Sequence, residues 1–191
     1  MKLKALLTIM LMSLVVSLVF LGTSIRSGQV EAYHTDCIWP YSGGFLIIEY
    51  RWGNNLSGPS LWKTAFETSS LDWSSRPTVV RWQHDANGQT TYNTYNLDDG
   101  WLGYNTAWCA NGGAGERVMN DTWGNVYYDD HTANERRSIT GHELGHAVGL
   151  YGFDPYMHST NSADLMYATC CPSSTRYTPV QGDDNDVNDH Y

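Results

Sequence analysis

Two histidines four positions apart, His142 and His146, enclose a glutamate in the run His142-Glu143-Leu144-Gly145-His146. On a helix, residues four apart project from the same face, so both imidazoles can hold one metal ion between them. Glu143, one position after the first histidine, can reach a water on that metal without being a ligand itself. Two imidazoles and a base for water are the parts of a hydrolytic zinc site. Such a site needs a third protein ligand, and the nearby candidates are His158, Asp154, Asp130 and His131.

These side chains work only if a helix presents them and a sheet holds the helix. Ile139, Leu144, Ala147, Val148 and Leu150 give the histidine segment an apolar stripe, which predicts a packed helix from near Ala133 through His146. Upstream, Phe45 to Trp52 reads as a buried strand. Ser60 is placed to cap a helix through Ser74, with Leu61, Ala65 and Leu71 or Trp62, Phe66 and Trp73 facing the core, and Pro77 ends it. Thr78 to Asp85 alternates like a second strand, with Asp85 to Gln89 as a hairpin-type turn after it. Trp101 to Cys109 and Glu116 to Asn120 read as two more strands, and a last helix falls within 180–191. Strands, a helix, more strands and a helix predict an α+β fold: a twisted mixed β-sheet backed by two helices, with a smaller loop-rich C-terminal subdomain and a final helix. The eight Trp and thirteen Tyr are read as core and cleft-edge residues.

The chain of 191 residues opens with Lys2 and Lys4, an apolar run from Ala5 to Leu21, and Val30-Glu31-Ala32. This is the pattern of a secretory signal peptide cut after Ala32, which leaves 33–191 as one exported domain. The formal net charge of −9 argues against nucleic acid, which binds clustered Lys and Arg. The four cysteines, Cys37, Cys109, Cys170 and Cys171, lie in the exported part and are expected in disulfides. A bond between the adjacent Cys170 and Cys171 is disfavoured, because neighbouring Cα atoms are only about 3.8 Å apart. Cys37 and Cys109 then pair either with the doublet or with each other.

His142-Glu143-Leu144-Gly145-His146-Ala147-Val148-Gly149-Leu150, followed by Ala163-Asp164-Leu165-Met166-Tyr167-Ala168, resembles the metzincin metallopeptidases, and among them the matrixins. The resemblance implies a zinc site closed by a third ligand after a glycine at position 149, with a Met-containing turn below the metal. The position usual for that ligand holds Gly152. His158 stands eight residues before Met166, as the third histidine of matrixins does before its methionine, so an insertion between Leu150 and His158 accounts for the shift. Asp154 is the alternative ligand. Ile47 to Trp52 with the Trp-rich helix, and the closing Asp183-Asp184 helix, extend the resemblance more weakly over residues 33–191.

What the resemblance implies is a secreted, monomeric zinc endopeptidase with no membrane attachment after signal cleavage. His142, His146 and His158 would bind Zn²⁺, and Glu143 would serve as the catalytic base. Met166 would lie beneath the metal without binding it, and the strand near Arg117 to Asn120 would pair with an extended protein or peptide substrate. Calcium has no specific motif, although Asp98-Asp99 and Asp129-Asp130 are acidic enough to attract it. The rival readings are an exported zinc-containing binding module without turnover and an aromatic-rich carbohydrate-binding protein.

Overall fold

The computed structural model describes residues 29–33 (backbone), 37–56, 58, 60–110, 116–128, 130–150, 158–167 and 176–191. In chain order the elements are β1 (Gln29–Tyr33), β2 (Leu46–Trp52), α1 (Leu61–Ser75), β3 (Val80–His84), β4 (Thr90–Tyr95), β5 (Trp101–Cys109), β6 (Arg117–Asn125), α2 (Ala133–Val148) and α3 (Gln181–His190). The strands form one sheet in the order β1-β5-β6-β4-β2-β3. β3, β2, β4 and β6 run parallel to one another, β5 is antiparallel to β6, and β1 is parallel to β5. The fold is therefore a mixture of helix and mixed sheet, in line with the α+β expectation.

α1 and α2 pack against each other and cover the same face of the sheet. β2 buries Leu46, Ile48 and Tyr50 toward them and leaves Ile47 and Glu49 exposed, so it is covered on one face only and not on both as its apolar run suggests. α1 starts where Ser60 Oγ accepts the Lys63 N–H at 3.0 Å. Of its two apolar stripes, Trp62, Phe66 and Trp73 turn inward, whereas Leu61 and Leu71 are exposed. The core is largely aromatic: Tyr92 stacks between Tyr50 and Phe66, with ring centroids at 4.3 and 4.8 Å. Rings used this way serve as packing.

Asp85 to Gln89 is not a hairpin turn. β3 and β4 both run parallel to β2, on opposite sides of it, with β3 paired along Leu46 to Tyr50 and β4 along Tyr50 to Trp52. The segment crosses over the β2 backbone to reach the other side, and Asp85 N–H donates to the Tyr50 carbonyl at 2.9 Å. At Gly88 a Cβ would sit 2.7 Å from the Tyr50 main chain, so only glycine allows this crossing. This crossing delivers β4, whose Thr-Thr-Tyr-Asn-Thr-Tyr sequence is absent from the predicted strands.

β6 is interior over most of its length. It lies between β5 and β4, although β4 pairs with it only from Asn120 to Asn125, and Arg117 to Met119 has its strand partner on the β5 side alone. Its buried polar residues satisfy one another across the β5 junction. Asn105 Nδ2 donates to Asn120 Oδ1 and Thr122 Oγ1, each at 2.9 Å. Cys37 and Cys109 are joined in a disulfide, with Cα atoms 5.7 Å apart. Cys170 and Cys171 lie outside the described residues, as does the apolar run from Ala5 to Leu21. Among the described residues, no helix is long and apolar enough to cross a membrane.

Candidate metal centre and catalytic carboxylate

α2 begins at a capping box: Glu135 N–H donates to Thr132 Oγ1 at 3.2 Å, and Thr132 N–H donates to Glu135 Oε2 at 2.6 Å. It ends at Gly149, whose φ of 121° lies in the region open to glycine. There the Gly149 N–H folds back onto the carbonyls of Gly145 and His146. Between these ends His142 and His146 stand one turn apart, 1% and 0% exposed.

Their tautomers follow from their neighbours. His142 Nδ1 lies 2.9 Å from the Leu165 carbonyl, and His146 Nδ1 lies 3.0 Å from the Leu150 carbonyl. A carbonyl can only accept, so each Nδ1 carries the proton and each Nε2 presents a lone pair. The two Nε2 atoms face each other at 3.1 Å. His158 completes the group, its ring 5.1 Å from that of His142 and 5.3 Å from that of His146. One ligating atom from each of the three lies within 4.8 Å of the others. Lone pairs converging at this range repel unless a cation lies among them. Three neutral imidazoles are a donor set that suits zinc. Burial, and then the neighbouring charge of His158, push His142 down to about 3, which keeps it neutral at physiological pH.

Among the described residues, this trio is the group of histidine, cysteine or acidic side chains placed to hold an ion. Asp130 and His131 do not join it, and Asp154 lies outside the described residues. Asp98 and Asp99 serve their own loop: Asp98 accepts the Tyr128 hydroxyl at 2.9 Å, and Asp99 accepts the Trp101 N–H at 3.0 Å.

Glu143 projects from α2 toward β5. It is fully buried, and neither carboxylate oxygen has a hydrogen-bond partner among the described residues. Burial raises it well above the ordinary carboxylate range. The neighbour across from it is Gly103 of β5, where a Cβ would sit 3.0 Å from Glu143 Oε1. The missing side chain at 103 is what gives the carboxylate its place.

His158 and the floor of the site arrive on a second piece of chain, 158–167. Ser159 N–H donates to the Met166 carbonyl at 3.0 Å, closing this piece into a turn. Asp183, in the first turn of α3, accepts the N–H groups of Leu165 and Met166, each at 3.1 Å, and of Val180 at 2.8 Å. That pins the Leu165 carbonyl, which in turn orients His142. Met166 is completely buried against Gly145, where a Cβ would stand 2.1 Å from its sulfur. The Asp183-Asp184 pair therefore acts locally. Asp183 holds the turn, and Asp184 accepts from Arg76 Nε at 2.8 Å.

Sequence reasoning missed the clamp on the other end of α2. Arg117 Nη1 donates to the carbonyls of His146 at 2.9 Å and Ala147 at 2.7 Å, Trp39 Nε1 to Ala147 at 2.7 Å, and the Tyr191 hydroxyl to Val148. Arg117 Nε also donates to the Cys37 carbonyl at 3.2 Å, which ties the helix end to the disulfide. Burial lowers Arg117 to about 10, so it stays charged at neutral pH, and its charge faces the negative end of the helix dipole. A charged residue in a strand gives no sequence signal of burial, so this role was not legible.

No protein-family model matches the chain, and no curated protein matches it. Among solved structures, the crystal structure of myroilysin aligns with 86% of this chain and 91% of its own length, with a TM-score of 0.53 at 12% identity. The GM1-bound form of the ECX AB5 holotoxin aligns with 76% of this chain and 70% of its own, at 14% identity and a TM-score of 0.38. The first shows a shared fold. The second carries no argument.

Proposed function

We propose that the chain is a secreted zinc-dependent endopeptidase of metzincin type, with His142, His146 and His158 as metal ligands and Glu143 as general base. The observation that carries this reading is the facing pair of Nε2 lone pairs at 3.1 Å, each fixed by an Nδ1–carbonyl contact and joined by His158, with a buried carboxylate on the same helix. Bound zinc would supply Lewis acidity that acidifies a water and polarises the scissile carbonyl. Glu143 takes the proton from the attacking water and returns it to the leaving amide nitrogen. Burial raises its proton affinity, which suits a group that must accept a proton and pass it on. Asp183 fastens the turn whose Leu165 carbonyl orients His142, and Met166 packs beneath Gly145 of the same helix as His142. A substrate strand would add along the edge of β5 on which β1 lies in this structure, taking the place of β1 beside Gly103 and Glu143. The Cys37–Cys109 disulfide fits an oxidising, extracellular setting, and the chain acts as a monomer.

The test is zinc stoichiometry on the purified protein together with cleavage of casein, with and without a chelator. Glu143→Gln should retain the zinc and lose roughly 10²–10⁴-fold or more in rate. A protein that binds zinc tightly but cleaves no unstructured protein supports the rival reading of a binding module without turnover. Absence of zinc sinks both.

A further inference from the structure

Arg117, the first residue of β6, spends its N–H groups unevenly. Nη1 donates to the His146 and Ala147 carbonyls, and Nε donates to the Cys37 carbonyl. Nη2 is shut off from solvent and has no hydrogen-bond partner among the described residues. The side chain is completely buried, and the group whose charge acts on it is the Tyr191 phenol, not a carboxylate. A guanidinium keeps its charge at any physiological pH. A buried cation without a counter-charge is costly, and a helix C-terminus, worth about half an elementary charge, answers only part of it.

A second unused ring nitrogen lies at the same helix end. His190 Nε2, on the last residue of α3, is also covered from solvent and without a partner among the described residues. His190 and Tyr191 close over the end of α2: at Gly149 a Cβ would sit 3.4 Å from both His190 Nε2 and the Tyr191 hydroxyl. That hydroxyl donates to the Val148 carbonyl. Burial, and then the Arg117 charge, lower His190, so the ring is neutral. A neutral imidazole carries one N–H, and with the proton on Nε2 it donates toward whatever lies there. Buried polar groups are nearly always paired, and two orphans from distant parts of the chain at one place mark a bound water or ion.

We propose that a monatomic anion, a halide such as chloride, binds between Arg117 Nη2 and His190 Nε2 at the C-terminal end of α2. Charge selects an ion over a water, because a water accepts from both nitrogens and still leaves the guanidinium without a counter-charge. The donors select a halide over an oxyanion. A carboxylate or phosphate brings several acceptor oxygens and a larger body, whereas this site offers two covered nitrogens and no more. The ion completes the clamp on α2, since the guanidinium that holds the His146 and Ala147 carbonyls is then held from behind. Halide binding thereby steadies the helix end that carries His146. The site lies apart from the histidine trio, and filling it requires neither zinc nor peptidase activity.

The experiment follows thermal unfolding at neutral pH and constant ionic strength while chloride replaces gluconate, an anion too large for the site. It is run on zinc-loaded and on chelator-treated protein, because a halide can also bind zinc. In both, Tm should be higher by roughly 5–10 °C once chloride stands about a hundredfold above its Kd. Bromide should replace chloride, and crystals grown in bromide should show an anomalous peak between the Arg117 guanidinium and the His190 ring. His190→Phe keeps a ring and removes the N–H, so the chloride concentration at half effect should rise about tenfold or more. Arg117→Met should abolish the response; if that variant does not fold, the bromide map and His190→Phe decide. A Tm set by ionic strength alone, an ordered water in place of the bromide peak, or an unchanged chloride response in His190→Phe overturns the proposal. A response confined to the zinc-loaded protein puts the halide on the metal and overturns it as well. The peak and the Tm response in a protein that cleaves nothing keep the halide site and overturn the endopeptidase reading instead.

Discussion

Gly145→Ala tests the packing beneath the metal centre, because the local and the tertiary arguments predict opposite signs. In an exposed helix interior, replacing Gly by Ala gains about 1 kcal/mol. At position 145 the new methyl would stand 2.1 Å from Met166 Sδ and 3.0 Å from both Met166 Cε and the Trp73 ring. Ordinary contact between such atoms is about 3.5–4.0 Å, so the methionine must give way by more than an ångström. It has little room, since Met166 and Trp73 are fully buried and the Met166 N–H is held by Asp183. Overpacking of this kind costs about 1–3 kcal/mol, which in a domain of this size lowers Tm by roughly 2–10 °C. Displacing Met166 also shifts the Leu165 carbonyl from His142 Nδ1, and loss of such an orienting partner weakens metal affinity about 10–100-fold. Met166→Ala alone opens a cavity and should cost about 2–5 kcal/mol. In the double variant the two changes share one space, so the total should fall short of the sum by about 1–3 kcal/mol. Urea unfolding of the chelator-treated proteins measures the cycle, and zinc titration measures the affinity. A Gly145→Ala protein that is more stable than the parent, or a strictly additive cycle, refutes the contact between helix and turn.

The third ligand can be decided by metal analysis: His158→Ala should lose zinc and activity, while Asp154→Ala keeps near-normal metal. The opposite pattern would replace the imidazole with a carboxylate. Deleting 152–157 restores the uninterrupted spacing and should leave a tetrahedral site with nitrogen ligands at about 2.0–2.1 Å by X-ray absorption. Alkylation of the denatured, unreduced protein should leave Cys37 and Cys109 joined and unlabelled; joint Cys37→Ser and Cys109→Ser replacement should cost about 2–4 kcal/mol. The metal-free protein should lose stability in acid. His142 is held near 3 when folded, against about 6.5 unfolded, so its contribution is complete above about pH 6.5 and is lost as pH falls toward 3. His142→Gln should flatten that limb of the stability curve, and an unchanged curve would remove His142 as its source.

The helix that carries His142, Glu143 and His146 could be read directly, because its chemistry depends on spacing within one element. His158 was reached through its distance to Met166, and the structure brings it to the other two. What could not be read were properties of pairing between distant segments. Asp85 to Gln89 has the composition of a hairpin turn, and nothing local says that β2 will lie between the strands it connects. Resemblance alone places a substrate strand at Arg117 to Asn120, and nothing local shows that Asn120 and Thr122 find their partners in Asn105 and in each other. Arg117 is 1% exposed because helix carbonyls replace the water its charge would otherwise need.

Asp183 also sets an order of events. A nascent chain emerges from its N-terminal side, and an exported one crosses the membrane the same way. The helix bearing His142 and His146 appears first, then His158, and only afterwards the carboxylate that fastens Leu165 and Met166 beneath them. Until that late segment arrives, the Leu165 carbonyl that orients His142 has nothing to fix it, and the third imidazole hangs on an unfastened loop. On the proposed reading of an exported metalloprotein, tight metal capture is therefore a post-translocational step. The ion would be drawn from outside the cell and not carried across with the chain, and a stalled or truncated product lacking α3 would remain without metal however complete its histidines.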